Sequence, residues 1–220
     1  FTSAQANDPM LTLENTANDA TGARILLLKD KGAAGADGDE IGEIIFAGDN
    51  DAQQQTNYAK IRGLIADASD GTEGGKFEVR VATHDGEMQP GLIIQDGDAE
   101  DEIDVTLGNT ATSIVTTAGH LTVTGNLTVS GTTTTVNTAT LTVEDPLIKL
   151  ASGNTSADSV DIGFYGLYDN SGSQDVYTGL TRDASDDKWH LWKLNQAEPT
   201  TVVNHSGTGF AVDTLVANLE

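Results

Sequence analysis

Apolar and polar positions alternate along much of this chain with a period of two, and one stretch repeats the pattern. Gly119–Gly131 reads Gly-His-Leu-Thr-Val-Thr-Gly-Asn-Leu-Thr-Val-Ser-Gly, a Gly-x-Leu-Thr-Val-x unit written twice and closed by a third glycine. In extended chain Leu121, Val123, Leu127 and Val129 fall on one side, and Thr122, Thr124, Thr128 and Ser130 on the other. The pattern predicts a strand with one face to bury. Such a strand cannot cover its own apolar side, so its neighbours are expected to be copies of itself, as stacked turns of one chain or equivalent strands from several. The apolar phase flips to even at Val136 and back to odd at Leu141 and Val143. Those flips predict corners or bulges, because a one-residue slip sends every side chain to the opposite face.

The same period predicts short strands elsewhere. Met10–Asn15, entered through Asp8-Pro9, places Leu11 and Leu13 inward. Ala23–Lys29 (Ala-Arg-Ile-Leu-Leu-Leu-Lys) is apolar enough to predict a strand buried on both faces. Ile41–Phe46 follows a Gly- and Asp-rich loop. Gln53–Ala68 fits both periods, but Gly63 costs a helix about 1 kcal/mol relative to Ala, which favours a strand. Lys76–Thr83 alternates cleanly, with Phe77, Val79 and Val81 expected inward. Leu92–Ile94, Ile103–Leu107 and Ser113–Thr117 complete the run up to the repeat. Gly, Asp, Asn and Ser cluster between these segments as turn formers.

The segment beyond the repeat echoes the beginning of the chain. Asp8-Pro9-Met-Leu11 matches Asp145-Pro146-Leu-Ile148, Ile41-Gly42 matches Ile162-Gly163, and Tyr58-Ala-Lys-Ile61 matches Tyr177-Thr-Gly-Leu180. Asp67-Ala-Ser-Asp70 matches Asp183-Ala-Ser-Asp186, and Lys76-Phe77-Glu-Val79 matches Lys188-Trp189-His-Leu191. Five matches in one order, with steadily shrinking offsets, read as a duplication with shorter loops in the second copy. The expected layout is a first β module over 1–107, a Gly/Thr-rich connector over 108–144, a related second module over 145–209, and the start of a further connector over 210–220. The predicted fold class is all-β: two short-stranded modules joined by a repeat-like β connector, elongated.

Charge narrows the partners. Thirty-four acidic residues against eleven basic ones give a formal net charge of −23. A nucleic-acid groove needs clustered Lys and Arg, and none is present, so nucleic acid and anionic membrane surfaces are set aside. No apolar run is long enough for a membrane span. The absence of cysteine removes disulfides, thiolate metal sites and cysteine nucleophiles together.

Candidate chemistry is sparse. His84, His120, His190 and His205 are scattered without a His-x-x-x-His pair, so no metal site and no cofactor is predicted. Neither a nucleophile elbow nor a phosphate-binding glycine loop occurs, and no catalytic residue is assigned. The acids of Asp96–Asp104 carry hard oxygen ligands for Ca²⁺ but match no known calcium loop, and Asp37-Gly-Asp39-Glu40 matches less well. Six of eleven aromatic residues lie in the second module: Phe164, Tyr165, Tyr168, Tyr177, Trp189 and Trp192. They either stack on sugars or fill a core or an interface. In an extended strand Trp189 and Trp192 face opposite ways, and Trp192 is taken as the outward one. Trp192 and Tyr168 are thus the candidates for receptor contact.

Gly125–Thr138 and Leu141–Leu150, with Asp161-Ile-Gly-Phe-Tyr-Gly166, Tyr177-Thr-Gly-Leu180 and Arg182-Asp-Ala-Ser185, resemble structural proteins and tail fibres of tailed bacteriophages, especially those of marine cyanobacteria. The resemblance covers Gly119–Leu194 and, more loosely, the first module. It implies a homotrimeric virion appendage on the particle surface, joined to other tail or capsid proteins and reaching for a host-surface glycan or protein. The predicted function is a non-enzymatic structural one, giving reach and contributing to host attachment. Leu121, Val123, Leu127, Val129, Leu141 and Val143 would form the trimer packing. The alternatives are a polysaccharide depolymerase, which needs a pair of carboxylates in a groove, and a calcium-stiffened bacterial surface adhesin.

Overall fold

The computed structural model describes residues 3–4, 10–131, 134–172 and 174–217. It is all-β, with two antiparallel sheets and no helix among the described residues; none is therefore long and apolar enough to cross a membrane. The chain divides into two compact units, Phe1–Thr128 and Val129–Glu220, with the division inside the expected connector.

The first unit holds a five-stranded meander. Its strands are β1 (Glu40–Asp49), β2 (Gln55–Asp67), β3 (Gly74–Ala82), β4 (Met88–Asp96) and β5 (Ile103–Leu107), in that spatial order. Each connection is a local hairpin made by the turn residues that the sequence places there. Asn50 closes the first, accepting Ala52 and Gln54 amides on its side-chain oxygen. Asp67 accepts the Ser69 amide at 2.8 Å after β2. Gly86, with φ of +85°, turns the chain between β3 and β4. Glu102 folds its carboxylate back onto the Asp98 and Ala99 amides to close the last.

The second unit holds a four-stranded sheet of β6 (Ile162–Asp169), β7 (Asp175–Arg182), β8 (Trp189–Asn195) and β9 (Ala211–Val212), again in sequence order. The duplicated motifs fall on matching strands. Ile41-Gly42 and Ile162-Gly163 lie in β1 and β6, and Tyr58–Ile61 and Tyr177–Leu180 lie in β2 and β7. Asp183 accepts the Ser185 amide at 2.6 Å after β7, as Asp67 accepts that of Ser69 after β2. Ile61 pairs with Val79 and the matched Leu180 pairs with Leu191, so β2–β3 and β7–β8 share a register, while β6 pairs with β7 one residue out of step with β1 on β2.

Several expectations need correction. Met10–Asn15 and Ala23–Lys29 form no strand, and Leu11, Leu13, Ile25, Leu26, Leu27 and Leu28 are exposed rather than buried. The Asp8-Pro9 entry to the first of these lies outside the described residues. The second segment is tied down by its flank, with Lys29 and Lys31 on Asp39, and Leu27 lies over Gly42, where an added methyl would sit 2.9 Å from its Cβ. It thus touches the sheet through a side chain without joining the ladder. Ser113–Thr117 and Gly119–Gly131 also form no strand in the single chain, and Leu121, Val123, Leu127, Val129, Leu141 and Val143 are all exposed. Alternation supplies a face to bury, but a strand also needs a neighbouring backbone to pair with, and the chain by itself presents none there. Thr132, Thr133 and the tail from 218 lie outside the described residues. The start of that tail, expected to open a connector, instead adds β9 to the second sheet, pairing Val212 with Trp192.

Candidate functional site

The first sheet is two-faced. One row of directly paired residues, Ile44–Ile61–Val79–Leu92–Leu107, crosses all five strands, and Phe77–Ile94–Val105 runs beside it. This face is apolar, and Ile44, Phe46, Phe77, Val81, Ile103, Val105 and Leu107 on it are exposed. Phe77, Val79 and Val81 do share a face as the alternation requires, but that face is the open one, contrary to the inward placement expected. In the second sheet the matching row is Phe164–Leu180–Leu191, with Phe164 and Leu180 exposed. The duplication therefore repeats an uncovered apolar face.

The reverse of the first sheet carries charge. Glu78 is only 3% exposed and receives Arg62, Arg80 and Lys76 at 2.9, 2.9 and 3.1 Å. Arg62 also reaches Glu40, and Lys60 pairs with Glu43 at 2.8 Å. Burial by itself would push the Glu78 carboxyl up, but Lys76, Arg62 and Arg80 together outweigh it and hold the group down at about 2. The charges on this face are mutually satisfied, which makes it a finished surface, whereas the opposite face has side chains with nothing packed on them.

In the second unit a loop after β8 covers one side of the sheet. Trp192 is 0% exposed, its Nε1 donating to Thr181 Oγ1 at 3.0 Å, its ring stacked 6.3 Å from Phe210. Gly179 makes room: a Cβ there would lie 2.6 Å from both the Trp192 ring and the Phe164 carbonyl oxygen. The expectation that Trp192 faces outward is corrected. Trp189 and Trp192 do point to opposite sides, but Trp189 is the exposed one, at 59%. Alternation separates the two rings and says nothing about which side the 196–210 loop covers. Trp192 is thereby removed as a receptor contact, while Tyr168 is half-buried opposite Val176.

Of the acids singled out in Asp96–Asp104, Glu102 is spent on the Asp98 and Ala99 amides, and those of the Asp37–Glu40 loop are committed within the fold. Asp37 accepts the Ala68 amide, Asp39 takes Lys29 and Lys31, and Glu40 takes Arg62. A cleft of about 530 Å³ in the second unit is lined by Asp158, Asp161 and Asp183. Asp161 spends both oxygens on the Ala184 and Val203 amides, and Asp183 is held below the ordinary carboxylate range by the Ser185 hydroxyl and amide and by His205. Every shifted carboxyl group among the described residues moves downward. A general acid for glycoside cleavage needs the opposite shift.

The sequence reading missed one cluster. His190 and His205, fifteen positions apart, have ring centroids 4.7 Å apart beside Asp183. No spacing rule joins them, because a loop carries His205 back over the sheet; the only local signal is the Asp183–Asp186 turn followed by His190. Compared with protein-family models, curated proteins and solved structures, the chain has no match in any of the three.

Proposed function

We propose that this chain is a non-enzymatic segment of a bacteriophage fibre or virion appendage that assembles as an elongated homotrimer. The observation that carries the reading is the apolar face left open in both modules. Copies of one chain cover such a face without any further partner, because a face repeated along the chain is repeated in every copy. The exposed Leu121, Val123, Leu127, Val129, Leu141 and Val143 extend the same requirement through the connector, where strands from neighbouring chains would supply the pairing that one chain lacks. Surface area points the same way. The chain alone exposes 18035 Å², against roughly 9,600 Å² for a self-contained protein of its mass. The role is mechanical reach, with attachment to a host-surface glycan or protein through exposed loops and with other virion proteins at its ends. The downward-shifted carboxyl groups favour this reading over a depolymerase.

Light scattering on a sizing column tests it. The expected species has three times the 22.9 kDa chain mass and elutes early for that mass. A monodisperse monomer at tens of micromolar would overturn the reading.

A further inference from the structure

We propose that Asp183, His190 and His205, with Asp186 holding His190 in place, form a binding site for a divalent transition-metal ion of the zinc class. The site is built on the turn between β7 and β8. Asp183 N donates to Lys188 O at 2.8 Å and Asp187 N to Asp183 O at 3.0 Å, which sets Asp186 and His190 on the same side. Both Asp186 oxygens then lie 3.1–3.2 Å from His190 Nε2. His205 arrives on the 196–210 loop, whose position is fixed by Val203 N on Asp161 at 2.7 Å and by Asp161 N on Thr201 O at 2.9 Å. Its Nδ1 stands 2.7 Å from an Asp183 oxygen. Asp183, His190 and His205 each bring one ligand atom within 4.8 Å of the others.

Three features go beyond ordinary hydrogen bonding. First, two imidazole rings rather than one converge on the Asp183 carboxylate, their centroids 4.7 Å apart. Second, the spacing suits a small cation. Two ligands about 2.0–2.1 Å from a tetrahedral zinc lie roughly 3.3 Å apart. The Asp183–His205 pair, at 2.7 Å, would open by about 0.6 Å, and His190 would close in from within 4.8 Å. Third, Asp183 and His205 also line the open cleft with Asp158 and Asp161, which gives an ion a route in under negative potential. Two imidazoles and a carboxylate, with a fourth position left to water, form a donor set that suits zinc better than calcium, which prefers oxygen alone. The first module lacks the set: the match to His190 there is Glu78, already held by three cations.

The test is calorimetric titration of zinc chloride into the chelator-treated 220-residue chain, with cobalt(II) absorption as a second readout. The expected result is one zinc per chain with a Kd in the low micromolar range, a rise in Tm of at least about 4 °C, and the intense absorption of tetrahedral rather than octahedral cobalt. His190→Gln and Asp186→Asn, both at the accessible edge of the cluster, should each weaken binding by at least tenfold, and His205→Gln should abolish it. If His205→Gln fails to fold, the other two variants decide. The double variant His84→Gln/His120→Gln should bind as the parent does. Only weak, multi-site binding to the acidic surface, or binding unmoved by His190→Gln, would overturn the proposal. Chain mass is read separately, so failure here leaves the trimer reading intact, and the converse holds.

Discussion

Gly179 and Gly63 both sit inside central strands, yet they answer to different constraints. Gly179 is pressed between the Phe164 carbonyl and the Trp192 ring, so Gly179→Ala must move backbone or the indole, and should cost about 2–3 kcal/mol in thermal or urea unfolding of the second unit. Gly63 has open space where a Cβ would go. Gly63→Ala should be neutral, or stabilise by up to about 1 kcal/mol through the unfolded state. Equal losses at the two positions would contradict the packing described. Glu78 gives a prediction in pH. Its folded pKa, about 2, lies below its ordinary value of 4.5, so its contribution is full above about pH 5 and is lost as pH falls through 2. The amount is on the order of 2–3 kcal/mol. Glu78→Gln should flatten the acid limb of the stability curve over that window. Glu78→Ala should lower stability at neutral pH by about 3 kcal/mol, since three cations are left without their shared partner.

The elements show what a sequence pattern can and cannot convey. β1 to β8 are legible because each pairs with a chain neighbour across a short turn, and both period and turn residues are local. The apolar run at Ala23–Lys29 misleads because hydrophobicity reports a need for cover without naming the cover, and here Leu27 meets the sheet at Gly42 while the run stays exposed. Lys76–Thr83 misleads differently: its two faces are correctly separated, but a single chain leaves the apolar one open and hides the charged one. The tryptophans repeat that lesson at one strand. Trp192→Ala should cost about 3–5 kcal/mol in unfolding. Trp189→Ala should leave the melting temperature of the isolated unit nearly unchanged while weakening self-association. In the parent, Trp189 fluorescence should lose its sensitivity to a soluble quencher as concentration rises through assembly; quenching independent of concentration would remove β8 from the interface. The histidine cluster was illegible because its members meet through a loop whose path depends on Asp161, 42 positions from the Val203 amide that it holds.

For the whole molecule, assembly must overcome repulsion between chains that each carry a net charge of −23. Added salt screens that repulsion and leaves apolar burial nearly untouched. The trimer should therefore tighten between about 20 and 200 mM salt, with sedimentation or light scattering showing a falling dissociation constant; weakening with salt would argue for an interface built on ion pairs. Val79→Asp together with Leu180→Asp, placing a charge in the open row of each module, should yield folded monomers with unchanged far-ultraviolet signal. A trimer that survives both would exclude this face as the shared one.

The neighbour-to-neighbour order of both sheets also bears on time. Strands that pair only with the next strand in the chain close short loops, and such meanders form quickly. Under the proposed trimer the wait then begins after folding, when each finished sheet holds an open apolar side in water until it meets two copies. Refolding should accordingly show a fast phase independent of concentration, seen in backbone signals, followed by a slow one that accelerates with chain concentration. Between the two phases lies the period of greatest risk, when the intended partners and aggregation compete for the same surface.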